Sequence, residues 1–165
     1  MEHWELVARE CCRDTLAQYT HAGDRFRLDE FVAAFCEDGV LEIRGSEPIR
    51  GRAAIMDRFR GGILPRPGAS VPDSSVGEGS SSPFRDAGEA PQRRIVRHNV
   101  DNVRFESVTP SEITVASYFT VFTNIGLDHL GRYRDRLVPV GERWLISHRF
   151  VSTDWRTVDS LFAER

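Results

Sequence analysis

The first third of the chain repeats its apolar residues with helical spacing. Over residues 4–19 they fall three or four apart, which predicts a helix that ends at Ala22-Gly23-Asp24, because glycine is the usual residue just past a helix. The same spacing predicts short helices at residues 28–35 and 51–59. Between these two, a turn leads into a strand that we predict at residues 40–44.

From residue 94 onward the pattern becomes that of β-strands. Four strands are predicted, at residues 94–106, 112–125, 130–139 and 143–153, followed by a last helical turn at 157–162. Their short connections favour antiparallel neighbours. Apolar residues on both faces indicate that one face packs on helices and the other lines a cavity or a subunit interface. We therefore predict an α+β fold in which three N-terminal helices pack on a strongly curved antiparallel sheet, a cone that encloses a pocket.

A segment at residues 63–92 interrupts this pattern. It is rich in proline, glycine and serine and has no period. Such a segment inside a compact domain is typical either of a solvated insertion or of a lid over a site. Since 165 residues are the length of one domain, we expect a single domain over residues 1–165 that carries this insert.

Charge and composition exclude several classes of protein. A net charge of −3 and a pI near 6.0 argue against a nucleic-acid binder. All 22 basic residues are arginine, which excludes a Schiff-base lysine and a P-loop lysine. No apolar run is long enough to cross a membrane, and the acidic N-terminal segment does not resemble a secretory signal. With 3 cysteines and no Cys-x-x-Cys pair, we expect reduced thiols and a cytoplasmic location.

His98 is the first candidate for chemistry. It lies in the middle of a predicted strand, and on a regular strand Asn102, four residues later, shares its face. A polar pair among apolar neighbours is costly unless both groups find partners. His98 is therefore either a solvated or satisfied structural histidine, or a general base whose pKa suits proton abstraction near neutrality.

Asp24 is the candidate partner of His98. A carboxylate that accepts one imidazole N–H fixes the tautomer and stabilises the imidazolium that forms after proton uptake. Asp24 could instead satisfy loop amides. Tyr19, five residues earlier, is either a packed helix residue or a phenol that donates to a substrate oxygen.

The strands offer two further carboxylates. If Leu41 packs inward, Glu42 lies on the opposite face, and we favour an exposed position for it. Asp135 shares one face of its strand with Tyr133, while the neighbouring arginines share the other. Asp135 either faces a cavity as an acid with a raised pKa or pairs with a cross-strand arginine, and we favour the pair. His129 is interpreted as peripheral.

No metal-ligand spacing and no motif of a covalent nucleophile, dinucleotide site or phosphate loop occurs in the sequence. Acid–base chemistry without a cofactor is the remaining option, and we expect no cofactor.

At this point the residues resemble the SnoaL-like branch of the nuclear-transport-factor-2-like superfamily, whose fold is a cone-shaped α+β domain. The resemblance covers residues 5–155 apart from the insert. It is carried by Tyr19-x4-Asp24-x4-Asp29-x5-Phe35-x2-Asp38, by Gly45-x5-Gly51-x3-Ile55, and by His98-x3-Asn102-Val103-Arg104-Phe105-Glu106 with Gly131-x-Tyr133-x-Asp135 and Trp144-x-Ile146-x2-Arg149.

By this resemblance the chain is a cofactor-independent lyase, a dehydratase or a dehydrohalogenase, that acts on a small hydrophobic molecule. His98 would be the base, Asp24 its orienting partner and Tyr19 the group that polarises a carbonyl or assists a departing hydroxyl. Where the family's dehydratases carry a further histidine or aspartate on the second long strand, this chain has Phe122-Thr123-Asn124, so Thr123 is expected only to bind substrate. Asn102, Tyr133, Asp135 and Glu42 complete the expected binding set.

Two alternatives stay open from the sequence. One is an isomerase or polyketide-cyclase type of acid–base enzyme that uses Glu42 and Asp135. The other is a protein that binds a small molecule or assembles without catalysis, because fold does not fix function. The apolar sheet face also predicts a homodimer or a homotrimer.

Overall fold

The computed structural model describes residues 1–63, 95–160 and 162. Its helices are α1 His3–Asp24, α2 Leu28–Val32 and α3 Arg52–Arg58, and α3 continues into a π-helical turn at Phe59–Ile63. Its strands are β1 Phe35–Ile43, β2 Ile49–Arg50, β3 Val96–Val108, β4 Ile113–Thr123, β5 Gly126–Val140 and β6 Arg143–Arg156. The predicted insert lies outside the described residues except for residue 63. Among the helices described, none is both long and apolar enough to cross a membrane.

The strands form one six-stranded sheet in the order β2-β1-β6-β5-β4-β3. The prediction of a purely antiparallel sheet is wrong at one place, because β1 and β6 are parallel. These two strands are far apart in the sequence, so no hairpin fixes their direction. The prediction of strong curvature is also wrong: the sheet is not strongly curled. It is open, with β2 and β3 as edges, and an open sheet needs only the ordinary twist of its strands.

Helix α1 ends on Asp24, within the segment Ala22-Gly23-Asp24 that predicted its end. Its last turn closes as a Schellman motif, in which the Phe26 N–H bonds the Gly23 carbonyl at 3.0 Å and the Arg27 N–H bonds the Ala22 carbonyl at 2.9 Å. Phe26 has φ +55°, so it occupies the left-handed position that usually holds glycine. The left-handed residue therefore lies three residues after Gly23, and Asp24 is held in the last turn of the helix.

The core lies between α1 and one face of the sheet, which we call the inner face. Buried α1 residues recur at helical spacing, namely Ala8, Cys12, Thr15, Leu16, Tyr19 and Ala22. The Thr15 hydroxyl donates to the Trp144 carbonyl at 2.6 Å and ties the helix to β6. Buried residues of α2, β1, α3, β4 and β5 complete this core, among them Phe31, Phe35, Ile55, Ile113 and Leu137.

Strand β1 begins earlier than predicted. The segment Glu37-Asp38-Gly39 is not a turn before the strand but an irregularity within it, where the register with β6 shifts between Phe35 and Val40. A Cβ at Gly39 would lie 2.9 Å from the Ile146 carbonyl oxygen, so only glycine allows this approach. The predicted last helix at 157–162 is also absent from the described residues there, which form turns closed by a Ser160 N–H to Thr157 carbonyl bond.

The two faces of the long strands differ as the sequence alternation predicts. On β5 the inner positions are buried, whereas Arg132, Arg134 and Arg136 are exposed on the outer face. Large apolar side chains are also exposed there or at the strand ends, among them Tyr118, Phe122, Ile125, Leu127 and Trp155. The homodimer or homotrimer therefore stays a prediction, and this exposed apolar surface is the reason for it.

Candidate active site

His98 and Asp24 form a short contact at the end of α1. The His98 Nδ1 atom lies 2.6 Å from Asp24 Oδ1, and the His98 backbone N–H donates to Asp24 Oδ2 at 3.1 Å. The two side chains are 15% and 8% exposed, respectively. Because the carboxylate is bonded to both the ring and the backbone of His98, the ring orientation is fixed. Among the described residues the Nε2 atom of His98 has no hydrogen-bond partner, so it remains available to a bound molecule.

A second imidazole lies next to this pair. His129 was interpreted as peripheral, and that interpretation is wrong: its side chain is 9% exposed, and its ring centroid is 6.4 Å from that of His98. Its Nδ1 atom lies 2.7 Å from Oδ1 of the fully buried Asp128. Burial lowers the pKa of His129, although the Asp128 carboxylate acts in the opposite direction.

A β-bulge explains why the alternation of residues did not reveal His129. Val121 pairs with His129 and Phe122 pairs with Leu127, so Asp128 is an extra residue on β5. Two consecutive residues, Asp128 and His129, therefore both face inward. Because His98 pairs with Val121 in turn, the two histidines occupy one row across β3, β4 and β5.

The structure confirms the preferred interpretation of Asp135, which pairs with an arginine on the neighbouring strand. It lies opposite Arg149 on β6, and Arg149 donates from Nε and Nη2 to its two carboxylate oxygens at 2.7 and 2.8 Å. Both residues are almost fully buried. Burial lowers the pKa of Arg149, but the attraction of Asp135 outweighs it and holds that pKa above its ordinary value. The interior therefore contains a permanent cation with a compensating anion.

Two tyrosines cover this cation. The Arg149 guanidinium carbon lies 3.9 Å from the ring centroid of Tyr19 and 4.3 Å from that of Tyr133. Burial raises the pKa of both phenols, so both keep their protons near neutrality. The Arg149 Nη1 atom is buried and has no partner among the described residues. Arg149 Nη1 is therefore a buried donor without a fixed acceptor among these residues.

Of the predicted binding residues Thr123 and Asn102, only Asn102 departs from its expected position. Thr123 is on the inner face and buried, and its hydroxyl lies 3.5 Å from Asp128. Asn102 is exposed and has φ +49°, at a register shift of β3 between Asp101 and Arg104. The strand is not regular there, so the argument that places Asn102 on the face of His98 fails.

The structure does not bring Glu42 and Asp135 together. Glu42 lies on the outer face, as favoured from the sequence, and its carboxylate lies 2.9 Å from Nε2 of His148. Asp135 lies on the inner face, so the sheet separates the two carboxylates. This geometry contradicts the isomerase interpretation that relied on both.

A cleft lies next to the turn after α1. It has a volume of about 610 Å³ and is lined by Phe26, Arg27, Leu28, Asp29, Glu30 and Arg60. The middle of the inner face is occupied by aromatic rings, such as the stacked pair Phe119 and Tyr133 with centroids 4.5 Å apart. A pocket against His98 stays a prediction.

Comparisons with known proteins agree with this architecture. A family model described as a SnoaL-like domain matches residues 4–150. No curated protein sequence matches the chain.

Several solved structures share the fold. A protein of unknown function with a cystatin-like fold from Nostoc punctiforme has 14% identity and a TM-score of 0.66, covering 99% of this chain and 98% of its own. A proposed scytalone dehydratase from Novosphingobium aromaticivorans has 17% identity and a TM-score of 0.67, covering 97% of both chains. ActVI-ORFA from Streptomyces coelicolor has 18% identity and a TM-score of 0.64, covering 88% of this chain and 96% of its own. At these identities the likeness shows the fold.

Proposed function

The chain belongs to the SnoaL-like domain family, and from this premise we propose that it is a cofactor-independent lyase acting on a small hydrophobic molecule. The observation that carries the proposal is the 2.6 Å contact between His98 and Asp24, which leaves the other ring nitrogen of His98 open. The likeness to a proposed scytalone dehydratase supports this reaction class without fixing the substrate.

His98 acts as the general base in this proposal. Since the Asp24 carboxylate accepts a hydrogen bond from Nδ1–H, the lone pair of the neutral ring is at Nε2. Nε2 removes a proton from a carbon next to an electron-withdrawing group, and the resulting imidazolium is stabilised by Asp24. A positioned base of this kind contributes roughly 10²–10⁴-fold to the rate. Positioning and electrostatic stabilisation in the interior must supply the remainder.

The negative charge that develops on the substrate requires donors. Tyr19 keeps its proton because burial raises its pKa, and it donates a hydrogen bond to the substrate carbonyl. The Arg149 guanidinium lies against the Tyr19 ring, with one buried nitrogen still unpartnered among the described residues. Together they stabilise an enolate-like oxygen on the inner face while His98 takes the proton.

A carbon acid with a coloured product tests His98 as the general base without knowledge of the natural substrate. In 5-nitrobenzisoxazole, removal of the C–H proton breaks the N–O bond and releases a yellow nitrophenolate. We expect His98→Gln to lower the rate above buffer by about 100-fold, the lower end of what a general base contributes. The matched control is His148→Gln, because His148 also bonds a carboxylate, Glu42, but on the outer face.

The control variant should retain its rate within about twofold, since the sheet separates His148 from the proposed site. Equal losses in both variants, or a wild-type rate no greater than that of free imidazole at the same concentration, would contradict the assignment of His98 as the base.

A further inference from the structure

The two histidines of the inner face, His98 and His129, are bonded in the same way. The rings of His98 and His129 are nearly perpendicular, at 87°, and each Nδ1 is bonded to a carboxylate. Among the described residues neither Nε2 atom has a hydrogen-bond partner. Both side chains keep a small exposed fraction, 15% and 9%.

The partners of Asp128 fix the tautomer of His129. Asp128 Oδ1 accepts the Ser160 hydroxyl at 2.6 Å as well as the Nδ1–H of His129 at 2.7 Å, which is the behaviour of a carboxylate. In the neutral imidazole the second nitrogen is then an acceptor only. Burial lowers the pKa of His129 and favours this neutral form. His129 Nε2 therefore offers a lone pair and no proton.

The rings of His98 and His129 are neighbours on the inner face, with 6.4 Å between their centroids. One bound molecule can therefore contact both imidazoles.

We propose that His129 determines the leaving group, because its acceptor nitrogen selects a substrate hydroxyl over a halide. The inference rests on the proposed function and makes the reaction a dehydration. His98 Nε2 takes the proton from carbon, and the electrons of that C–H bond form the new double bond. The C–O bond breaks, the oxygen leaves with its electron pair, and it takes the proton back from His98 to become water. Throughout, the original O–H hydrogen is bonded to His129 Nε2, a bond that a halide cannot make.

A matched pair of probes tests this assignment. The β-hydroxy ketone 4-hydroxy-4-(4-nitrophenyl)butan-2-one and its 4-chloro analogue give the same absorbing enone, one by loss of water and the other by loss of HCl. The variant is His129→Phe, which keeps an aromatic ring against Phe119 and Phe162 but removes the acceptor. If that variant does not fold by near-ultraviolet circular dichroism, the double variant His129→Phe, Asp128→Asn replaces it, because it removes the buried negative charge that has lost the Nδ1–H of His129.

We expect the His129 variant to lose about tenfold in kcat/KM on the hydroxy ketone, the effect of one hydrogen bond, and less than threefold on the chloro ketone. His98→Gln should lose activity on both. Equal losses on the two probes in the His129 variant, or no loss on the hydroxy ketone, would overturn the inference while leaving His98 as the base. Absence of turnover by the wild-type protein on both probes would refute the proposed function and this assignment with it.

Discussion

Replacement of Gly131 by alanine tests how tightly the inner face is packed. A Cβ atom at this position would lie 2.1 Å from the Ser152 carbonyl oxygen and 2.6 Å from Cζ of Phe119. The Phe119 ring can turn away from a methyl group. The Ser152 carbonyl cannot, because it belongs to the backbone of β6, which is paired with β5 on both sides of the register shift between Leu130 and Gly131.

The expected loss of stability follows from the clash with the backbone of β6. Overpacking a well-packed interior costs roughly 1–3 kcal/mol, and a clash with backbone belongs at the upper end of that range. We therefore expect Gly131→Ala to lower the free energy of unfolding by about 3 kcal/mol. For a chain of this size each kcal/mol lowers Tm by about 2–4 °C, which gives a decrease of roughly 6–12 °C.

Thermal unfolding followed by circular dichroism measures this effect, with Gly61→Ala as the matched control. A Cβ at Gly61 has nothing within 4 Å among the described residues, and Gly61 lies in a helical turn, where alanine is favoured. The control should keep its stability within about 0.5 kcal/mol of the wild type or gain slightly. If Gly131→Ala unfolds within about 2 °C of the wild type, the close approach of β5, β6 and Phe119 described above is incorrect.

Two further predictions concern buried ionisable groups. Asp135→Asn should lower the free energy of unfolding by about 3–5 kcal/mol, because it leaves the buried Arg149 without its anion. The control Asp154→Asn weakens the exposed pair with Arg132 and should lower the free energy of unfolding by less than about 1 kcal/mol. Similar losses for the two variants in urea titrations would argue against the buried pair. Burial lowers the pKa of His129 below its ordinary 6.5, so as the pH falls the unfolded chain binds a proton at His129 before the folded chain does. The wild type therefore loses stability below about pH 6.5, and its stability relative to His129→Phe should decrease there. A difference that is constant or grows between pH 8 and pH 5 in urea titrations would contradict the neutral, buried imidazole.

The regular parts of the sheet could be predicted from the sequence. On β5 the two-residue alternation placed Tyr133 and Asp135 on one face, and the structure buries both. A carboxylate on a buried face needs a compensating charge, which predicted a cross-strand arginine and is confirmed by Arg149. The contact between His98 and Asp24 was likewise expected, and the 2.6 Å distance confirms it as a contact. Its catalytic role remains a proposal.

The parts that could not be predicted are those where the backbone departs from regular geometry. Alternation along a strand places neighbours on opposite faces, so it could not indicate that Asp128 and His129 both point inward at a bulge. The end of α1 was predicted from Gly23, whereas the left-handed residue is Phe26. Phenylalanine at such a position costs more than glycine and occurs only where packing compensates, a condition that depends on tertiary contacts.

These irregularities determine which polar groups meet. In a helix each residue advances the direction of the side chain by about 100°, so the position of Asp24 in the last turn of α1 determines that it faces His98. In a strand one extra residue reverses the face of all that follow, so without the bulge at Asp128 either His129 or the buried face around Asp135 would point outward. The bulge allows β5 to keep Asp135 in the core while it adds a second imidazole to the row of His98. We therefore expect a variant that lacks Asp128 to lose either the buried ion pair of Asp135 and Arg149 or the neighbouring position of the two histidines. The single extra residue of β5 thus determines both arrangements.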